Sequence, residues 1–457
     1  MAWLYLIFLL LFAQPAQSQN FSDIQGPWHG SIVVTGQNLG VEFLFSYSAG
    51  ELDGTLDIPQ QNAFNFPVEF TYAEGDSLVF QFETGTGPAV FRGRWNHETM
   101  EIAGEFVQLG SSFPFSIKKT TGRDENGGLS EENLIIPTDA GQAGGTLLLT
   151  EHPSTLVILL TGSGAQDRDE NVAGFRVFRE LAHSLHAGGF SSFRYDDRGV
   201  GESGGEADAT LEELAIDLEQ IVAYLRANHG ERFTRVVFAG HSQGGLVASI
   251  GAQTIPADGI IFMGSPFLRG DEIINGQIIA ISEAQGIEED VVEKNLEFQQ
   301  RIYEVVRTGG EWDEIEQDLY DRLEEQINEL PEQQRQALGD MSTFIRSQIR
   351  RQLEGARTDW FKSFIEFEPS EAVAELTIPM LAVFGEKDMQ VPASTNRDAA
   401  EQLRDNAGLN LQIVTIPQAN HLFQKANTGL PGEYGMLERE FADGFVEAIL
   451  EWLSALD

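Results

Sequence analysis

The clearest chemical signal in the sequence is the segment 240–244, which reads GHSQG. An apolar stretch with strand character, 235–239, precedes this G-x-S-x-G pattern, and a stretch with helix character, 245–250, follows it. A sharp turn between strand and helix lifts a serine hydroxyl clear of the sheet, and its strain requires small neighbouring residues. Because the chain has 47 Gly, the pattern could also be an ordinary glycine-rich loop, but its strand-and-helix context favours a nucleophilic Ser242.

A nucleophilic serine needs a base, and the base needs a carboxylate partner. Downstream, Asp388 follows the apolar stretch 378–384, and His421 follows the stretch 411–416. The carboxyl ends of parallel strands meet at one edge of an open sheet, so both loops are expected beside Ser242. We predict a triad in the chain order serine, aspartate, histidine, in which the histidine takes the serine proton and the aspartate orients the imidazole.

Other acids compete with Asp388 for this role. Glu386 lies two residues earlier in the same loop, and Asp271 follows another apolar stretch, 259–264. The chain has 71 Asp and Glu, so an acid in a loop is also commonly a solvated surface residue. Its position in the loop at the carboxyl end of a strand favours Asp388 over a solvated surface acid, and Glu386 stays the nearest rival.

An oxyanion hole needs two backbone N–H donors. Gln243, directly after the serine and at the start of the following helix, is predicted to supply one. The other is assigned to Ser163, in the glycine-rich loop 161–165 (TGSGA) that follows the apolar stretch 156–160. The loop could also be a plain turn, but no Lys follows it, which excludes a Walker-type phosphate loop.

Taken together, Ser242, Asp388 and His421 resemble the catalytic triad of the α/β-hydrolase superfamily. The segment 193–203 (FRYDDRGVGES) resembles the D-x-R-G-x-G-x-S motif of lysophospholipase-like, monoglyceride-lipase-like and serine-aminopeptidase-like (S33-type) hydrolases. The segment 161–171 (TGSGAQDRDEN) resembles the oxyanion loop of a bacterial esterase branch of that group. The resemblance implies an α/β-hydrolase fold and a serine hydrolase activity.

This resemblance covers roughly residues 130–457, with one departure. Many members of the group carry His-Gly at the oxyanion loop, where this chain has Thr161 and Gly162. The assignment of Ser163 as the second oxyanion donor therefore rests on its position in the loop. Arg198, in the arginine motif, is interpreted as a structural residue that hydrogen-bonds the carbonyls of the turn, and not as a catalytic one.

The N-terminal residues 1–18 are predicted to be a signal peptide. An apolar run of about ten residues, 3–12, precedes the small-x-small segment AQS that ends at Ser18. A run of that length is too short to cross a hydrocarbon core, which needs about 20 residues. We therefore expect cleavage near Ser18 and a secreted or periplasmic protein with no stable membrane anchor. Since the chain has no Cys, no disulfides are expected.

Residues 20–120 are predicted to form an antiparallel β domain. Aromatic and aliphatic residues alternate with others at period two, as in Leu78, Phe80 and Phe82, and turn signals recur every ten residues or so. The pattern indicates about eight short strands, which favours a small barrel or sandwich. The domain is either a ligand- or surface-binding module or an appendage for folding or docking. The polar, glycine-rich segment 121–132 is predicted to link it to the rest of the chain.

Residues 133–457 show alternating strand and helix patterns, which predict an α/β domain with a mostly parallel central sheet flanked by helices. The alternation breaks at 269–367, where about 100 residues of helix-forming sequence fall between two strands. We predict that this insertion is a helical cap that encloses the site and excludes water. Apolar residues recur there at helical spacing, such as Ile302 and Ile315, and are assigned to packing inside the cap in preference to a substrate groove.

The composition is strongly acidic, with 71 Asp and Glu against 29 Lys and Arg and a formal net charge of −42. Phosphate backbones and anionic membranes repel such a chain, which excludes nucleic-acid binding and disfavours membrane adsorption. The excess of acid with scarce Lys favours adaptation to high salt over a surface selected for solubility alone. No cluster of His, Cys and Asp has metal-ligand spacing, so neither a metal nor a cofactor is expected. The sequence carries no signal of oligomeric state.

These observations predict a serine hydrolase that cleaves small-molecule carboxylic esters through an acyl-enzyme intermediate. A serine peptidase of the aminopeptidase type uses the same triad and stays open as an alternative. It would need a fixed acid for the free amine of its substrate, and the acidic cap offers many. A third possibility is a non-catalytic secreted binding protein on a hydrolase fold, which the complete triad disfavours.

Overall fold

The structure of the chain is a computed structural model, which describes residues 22–456 with short gaps. It divides into two compact units, with the boundary between Arg123 and Asp124. The predicted signal peptide, 1–18, and most of the predicted linker, 121–132, lie outside the described residues. The gaps are 35–36, 49–50, 59–62, 85–86, 109, 120–128, 153, 330–331, 333–334 and 336–339.

Residues 26–119 form a closed antiparallel barrel of eight strands, in which neighbours in sequence pair and the first strand also pairs with the last. The prediction of an antiparallel β domain is confirmed. Because the first strand pairs with the last, the domain is a barrel and not a sandwich. The strands are β1 (Gly26–Val34), β2 (Gln37–Ser48), β3 (Glu51–Ile58), β4 (Ala63–Glu74), β5 (Ser77–Thr84), β6 (Gly87–Asn96), β7 (Glu101–Gln108) and β8 (Ser111–Lys119).

Phenylalanine rings fill the interior of this barrel. Phe80 and Phe91 stack with their ring centroids 5.0 Å apart, and Phe43 meets them edge-on at 5.4 and 5.2 Å. The period-two pattern of the sequence fills the interior because alternate side chains of each strand point into the barrel. In β5 these are Leu78, Phe80 and Phe82. An eight-stranded barrel has an interior that side chains of this size can fill.

The second unit contains an eight-stranded sheet and a separate two-stranded hairpin. The first strand of the sheet begins at Glu131, so the last two residues of the predicted linker belong to the sheet. The strands of the sheet are β9 (Glu131–Thr138), β10 (Gly141–Leu148), β11 (Ser154–Leu160), β14 (Ser191–Tyr195), β15 (Phe233–His241), β16 (Gly259–Met263), β17 (Met380–Gly385) and β18 (Leu411–Ile416), and the hairpin is β12 (Asn171–Val172) with β13 (Phe175–Arg176).

The spatial order of the sheet is β18-β17-β16-β15-β11-β14-β10-β9. The strands from β18 to β14 are parallel, while β10 pairs antiparallel with both β14 and β9. The central strands β11 and β16 are buried along nearly their whole length, as expected of parallel strands with both faces covered. The predicted α/β class with a mostly parallel sheet is confirmed.

Some helices of the second unit begin at a residue whose side chain caps them. The side chain of Thr210 accepts the N–H of Glu213, while the Glu213 carboxylate accepts the N–H of Thr210, and a 19-residue helix follows. Asp340 and Thr358 cap two later helices through their side-chain oxygens. The helices are α1 (Val177–Ala187), α2 (Leu211–His229), α3 (Gln243–Thr254), α4 (Gly270–Gln285), α5 (Glu289–Thr308), α6 (Asp313–Glu329), α7 (Met341–Glu354), α8 (Asp359–Glu366), α9 (Pro369–Ala374), α10 (Ala393–Ala407) and α11 (Phe445–Ser454).

Helices α4 to α8 lie between β16 and β17 in sequence and occupy the predicted cap region, 269–367. Helices α5, α6 and α7 share a core of their own, and Ile302 and Ile315 belong to it. The assignment of these residues to packing inside the cap is therefore confirmed. The buried members of the core are Phe298, Ile302, Ile315, Leu319, Ile327, Ile345, Ile349 and Leu353.

Helix α5 has 20 residues and carries charged side chains from its first turn to its last. Neither this helix nor any other among the described residues is both long and apolar enough to cross a membrane.

Candidate active site

Ser242 lies at the turn between β15 and α3, with φ of 50° and ψ of −121°. This backbone conformation is strained for a residue with a side chain, and it presents the serine at the carboxyl edge of the sheet. The turn is possible because Gly240 and Gly244 lack side chains. A Cβ at Gly240 would lie 2.2 Å from the backbone of Gly244, and a Cβ at Gly244 would lie 2.2 Å from the carbonyl oxygen of Leu160.

Asp388 and His421, from the loops after β17 and β18, meet at the same edge of the sheet. Nδ1 of His421 lies 2.7 Å from Oδ2 of Asp388, and the two residues are only 5% and 4% exposed. The other carboxylate oxygen, Oδ1, accepts the backbone N–H groups of Gln390 and Val391 at 2.8 Å each. Because both carboxylate oxygens are held, the imidazole is fixed with Nε2 as the ring nitrogen available for proton transfer.

The serine and the aspartate–histidine pair converge around Gly264, directly after β16. The N–H of Ser242 donates to the carbonyl oxygen of Met263 at 2.8 Å. A Cβ at Gly264 would lie 3.3 Å from Nδ1 of His421 and 3.4 Å from Oδ2 of Asp388. The structure therefore brings the three predicted triad residues together, although the whole cap separates Ser242 from Asp388 and His421 in sequence.

The loop after β11 packs directly against the serine, since a Cβ at Gly162 would lie 3.4 Å from Cβ of Ser242. The N–H of Gly162 is already donated to Oε1 of Glu170, at 2.7 Å. Ser163, the next residue of this loop, is exposed. Gln243 is the first residue of α3, so its N–H has no acceptor within the helix. Both predicted oxyanion residues thus lie on segments that flank Ser242.

A half-buried acid, Asp197, holds the two ends of this loop. The Thr161 hydroxyl donates to one carboxylate oxygen of Asp197 at 2.6 Å, and the N–H of Gln166 donates to the other at 2.9 Å. Burial, together with the negative charges of Glu170 and Asp196, acts to raise the pKa of Asp197, while the two hydrogen bonds act to lower it. The net effect is a pKa raised to about 7. The carboxylate that anchors the loop therefore changes charge near neutral pH.

The two rival acids make other contacts. Asp271 accepts Nε–H of Arg269 at 2.7 Å and also binds Arg307, so it holds the base of the cap. Glu386 accepts the N–H of Gln418 at 2.7 Å. Neither of these carboxylates contacts His421. The acid that the structure pairs with His421 is Asp388, as predicted from the sequence.

The arginine motif contacts a different partner from the one expected. Arg198 is predicted to hydrogen-bond carbonyls of its own turn, and this prediction is wrong. Its Nε and Nη2 donate to the Asp217 carboxylate on α2 at 2.5 and 3.0 Å, and Nη2 also donates to the Glu213 carbonyl of that helix at 3.2 Å. A charged acceptor binds a guanidinium more strongly than a carbonyl does. A carbonyl of the turn is bound instead by Ser203, whose Oγ donates to the oxygen of Asp196 at 2.7 Å.

A second buried histidine–carboxylate pair, which no sequence pattern predicted, lies beside the first. Nδ1 of His241 is 2.8 Å from Oε1 of Glu170, and Nε2 of His241 is 2.9 Å from the carbonyl oxygen of His421. The two imidazole rings are 4.6 Å apart between centroids. Burial acts to lower the pKa of His241, but the Glu170 carboxylate and the carbonyl oxygen outweigh burial and raise it overall. The available signal was the His of GHSQG, a position that G-x-S-x-G leaves unspecified.

The cap reaches this turn through Trp360 on α8. The indole Nε1–H of Trp360 donates to the side-chain oxygen of Gln243. The start of α8 is fixed by Asp208, whose carboxylate accepts the N–H groups of Asp359 and Trp360 at 3.2 and 2.9 Å. The indole also stacks on Phe364, with ring centroids 5.5 Å apart. An aromatic surface of the cap therefore lies beside the residue that follows the serine.

Acidic side chains near the site are held by arginine as well as by backbone N–H groups. Asp196, for example, accepts Nη2 and Nε of Arg168 at 2.5 and 3.0 Å. Within the part of the chain that the structure describes, no group of three or more His, Cys, Asp or Glu side chains is placed to hold a metal ion.

A family model described as the alpha/beta hydrolase family matches residues 157–428. The matched range runs from β11 through the cap to the loop beyond His421. The esterase EstD of Thermotoga maritima is 25% identical to this chain over 303 residues. That match covers 66% of this chain and spans 62% of the length of the relative.

Solved structures of esterases are similar to the chain at lower identity. An esterase of Pyrococcus furiosus is 14% identical, with a TM-score of 0.43, and the match covers 73% of this chain and 93% of that one. A malate-bound thermophilic esterase from Thermogutta terrifontis is 22% identical, with a TM-score of 0.40, and the match covers 71% of this chain and 99% of that one.

Proposed function

The chain belongs to the alpha/beta hydrolase family, and from that premise we propose that it hydrolyses carboxylic esters through an acyl-enzyme formed on Ser242. One observation carries the proposal: Nδ1 of His421 lies 2.7 Å from Oδ2 of Asp388, beside a serine in a strained strand-to-helix turn. These are the parts that make a hydroxyl group nucleophilic. The relative from Thermotoga maritima, which is named an esterase, supports an ester as the substrate.

In the acylation step, Nε2 of His421 takes the hydroxyl proton of Ser242 as Oγ attacks the ester carbonyl carbon. Asp388 stabilises the imidazolium that forms. Negative charge develops on the carbonyl oxygen, and the backbone N–H groups of Gln243 and Ser163 are proposed to bind it. When the tetrahedral intermediate collapses, the imidazolium gives its proton to the departing alkoxide. The alcohol leaves, and the acyl group remains on the serine.

Deacylation repeats these steps with water as the nucleophile. His421 takes a proton from water as the water oxygen attacks the acyl carbonyl carbon, and the same two N–H groups bind the second oxyanion. The bond between the acyl carbon and Oγ of Ser242 then breaks, and the imidazolium returns the proton to Oγ. The products are a carboxylic acid and the free enzyme, with the triad in its starting protonation state.

The cap supports a substrate of small to medium size with an apolar part. The half-buried indole of Trp360, backed by the buried ring of Phe364, provides an apolar face beside Gln243, which follows the proposed nucleophile. Such a surface fits the acyl or alkyl part of an ester, because its burial there removes apolar area from water.

The proposal is tested with a substrate panel in which p-nitrophenyl esters of increasing acyl length are compared with aminoacyl p-nitroanilides. We expect turnover of the esters, and loss of that turnover in Ser242→Ala with the fold intact. A clear preference for the aminoacyl anilides would assign the aminopeptidase-type activity instead. Absence of turnover with both classes, together with no reaction with a fluorophosphonate, would indicate a binding protein on a hydrolase fold.

A further inference from the structure

The buried pair formed by Glu170 and His241 connects three separate loops of the site. Oε1 of Glu170 accepts the N–H of Gly162, in the oxyanion loop, at 2.7 Å. The same oxygen lies 2.8 Å from Nδ1 of His241, the residue directly before the nucleophile. Nε2 of His241 lies 2.9 Å from the backbone carbonyl of His421, in the histidine loop. One pair of side chains therefore fixes the backbone of the oxyanion loop, the turn at the serine and the histidine loop.

The hydrogen-bond partners fix one hydrogen of this pair. A carbonyl oxygen can only accept, so Nε2 of His241 must carry a hydrogen. Oε1 of Glu170 accepts the backbone N–H of Gly162 and shares one further hydrogen with Nδ1 of His241. The raised pKa of His241 places that hydrogen on Nδ1, so both ring nitrogens donate.

The backbone at Glu170 shows that its side chain is held in place at an energetic cost. Its φ is 47°, in the left-handed region that residues with a side chain rarely adopt and that costs about 1–2 kcal/mol. Its second oxygen, Oε2, is buried and has no hydrogen-bond partner among the described residues. Both contacts of the carboxylate thus converge on one oxygen. Strain of this kind concentrates at functional sites, where the surrounding structure sustains it.

Neither side chain can reach a substrate. The side chain of Glu170 is 1% exposed and that of His241 is 4% exposed. Any effect on the reaction must therefore pass through the three backbone segments that the pair holds, which makes the two residues positioning residues and not catalytic ones.

We propose that the Glu170–His241 pair positions the oxyanion loop and the catalytic histidine for the transition state, an inference that rests on the proposed function. With Gly162 N–H turned inward to Glu170, the next N–H, that of Ser163, is left for the oxyanion. With the His421 carbonyl tied to His241, the catalytic imidazole keeps its place beside Ser242. Both alignments matter most in the transition state, so losing the pair lowers kcat and leaves KM nearly unchanged.

The second unit offers a matched control for a merely structural ion pair. Glu131 on β9 lies 3.2 Å from Nε2 of His183 and 3.0 Å from Nη2 of Arg194, and its side chain is 10% exposed. Strands β9 and β14 lie on the opposite side of β11 from β15 and the serine. Arg194 also donates Nε–H to Asp169 at 2.8 Å, one residue before Glu170, so the control alters a pair near the same loop without touching Gly162, the serine turn or the His421 carbonyl. Glu131→Gln and Glu170→Gln make the same chemical change in two partly or fully buried glutamate–histidine pairs.

The kinetic experiment measures kcat and KM for a p-nitrophenyl ester in the full chain, with active sites counted by fluorophosphonate titration. Counting sites removes any loss that comes from misfolded protein. We expect Glu170→Gln to lower kcat per titrated site by about 10- to 100-fold with KM within about two-fold. This is less than the loss of about 10²–10³-fold when an oxyanion donor is removed, because here the donor is displaced and not removed. Glu131→Gln should keep kcat per site within about two-fold. Equal kcat per site in Glu170→Gln and the wild type would overturn the inference.

A second measurement needs no active variant. In wild-type protein labelled with ¹⁵N-histidine, the inference predicts that Nε2 of His241 carries hydrogen at pH 7.5, because only a donor can hold the His421 carbonyl. The signal is assigned by its loss in His241→Gln. Besides Glu170, the titratable groups near this ring are Asp388 and His421, whose ring centroid is 4.6 Å away, and Asp197 acts on Glu170. A ring with no hydrogen on Nε2 would overturn the inference.

The inference and the proposed function fail in different ways. A wild-type protein that neither turns over esters nor reacts with the fluorophosphonate removes the proposed function, and the inference with it. A wild-type protein that reacts, with Glu170→Gln reacting at the same rate per folded chain, removes the inference alone.

Discussion

Two regions of the active site each bury a histidine against a carboxylate. In the loops after β17 and β18, Nδ1 of His421 lies 2.7 Å from Asp388, and between the serine turn and the loop after β11, Nδ1 of His241 lies 2.8 Å from Glu170. All four side chains are at most 6% exposed. The pairs differ at the other ring nitrogen, because that of His241 is occupied by a backbone carbonyl.

This difference shows that a histidine–carboxylate contact does not define a catalytic base. A base needs a ring nitrogen that can accept a proton and a nucleophile beside it. His241 cannot act as a base, since Glu170 and the His421 carbonyl occupy both of its ring nitrogens. The same contact serves in one region to move a proton and in the other to hold three backbone segments in place.

The largest effect is expected when the same substitution is made in both regions. His421→Gln removes the proposed base of the serine, so kcat should fall by a factor on the order of 10⁴–10⁶. His241→Gln keeps the base and disturbs only the backbone segments that support it, so kcat should fall by about 10- to 100-fold, less than the loss of about 10²–10³-fold when an oxyanion donor is removed. Steady-state kinetics on titrated protein, with circular dichroism as the folding control, measures both. Similar losses in the two variants would break the distinction between them.

A comparison of two acids sharpens the assignment of Asp388. Asp388→Asn should lower kcat by about 10³–10⁴-fold, because the amide favours the wrong imidazole tautomer while the geometry is kept. Asp271→Asn should leave kcat nearly unchanged and lower the melting temperature, since it weakens the contacts to Arg269 and Arg307 that hold the cap. Full activity in Asp388→Asn with loss of activity in Asp271→Asn would reverse the assignment.

Asp197 is a half-buried carboxylate near the two pairs. Unlike Asp388 and Glu170, it has no histidine partner among the described residues. Its pKa is raised to about 7, above the value of about 3.9 in an unfolded chain. The folded state therefore binds more protons than the unfolded state between about pH 4 and pH 7. This contribution to the free energy of unfolding amounts to a few kcal/mol. It is fully present below about pH 4 and is lost as the pH rises through about 7.

Denaturant unfolding of the wild type and Asp197→Asn, measured at several pH values from 4.5 to 8, checks this prediction. Groups that do not interact with Asp197 titrate equally in both proteins, so the difference reports Asp197 together with its coupling to Glu170 and Asp196. We expect the stability of the wild type to fall relative to Asp197→Asn as the pH rises across this range. A constant difference in the free energy of unfolding would show that Asp197 does not titrate there.

The smallest effect is expected from salt, which separates the buried pairs from the acidic surface. The net charge of −42 predicts self-repulsion at low ionic strength, where the Debye length is about 30 Å at 0.01 M against about 3 Å at 1 M. The melting temperature should rise by several degrees with sodium chloride and level off. The ratio of kcat between Glu170→Gln and the wild type should stay constant, because buried pairs are screened much less.

Sodium sulfate at matched ionic strength provides the control, since salting-out keeps growing and favours sulfate. A melting temperature that stays flat up to molar sodium chloride would remove the proposal of salt adaptation and leave the charge as a solubility trait.

The sequence predicts the triad because each of its members follows an apolar strand. Ser242 comes directly after β15, while Asp388 and His421 lie in the loops that follow β17 and β18, and the ends of parallel strands meet at one edge of a sheet. The cap is predicted for a similar reason, since its helix-forming composition interrupts the alternation of strands and helices. In both cases a local pattern is enough, because the fold class then supplies the geometry.

Features that depend on long-range contacts are not predictable in this way. Glu170 reaches His241 only because its backbone adopts a left-handed conformation in a loop, which no periodicity encodes. The partner of Arg198 is Asp217, on a helix whose position is set by packing. The closure of the barrel depends on the pairing of β1 with β8, and a period-two pattern is the same in a barrel and in a sandwich.

The central claim, that Ser242 is the nucleophile served by His421, is tested most directly by peptide mapping after labelling with a fluorophosphonate. The account predicts one adduct per chain, on the peptide that contains Ser242, and no adduct in Ser242→Ala. It also predicts the same site of labelling, reached more slowly, in Glu170→Gln. An adduct on a different residue, or an active preparation that takes up no label, would contradict the account.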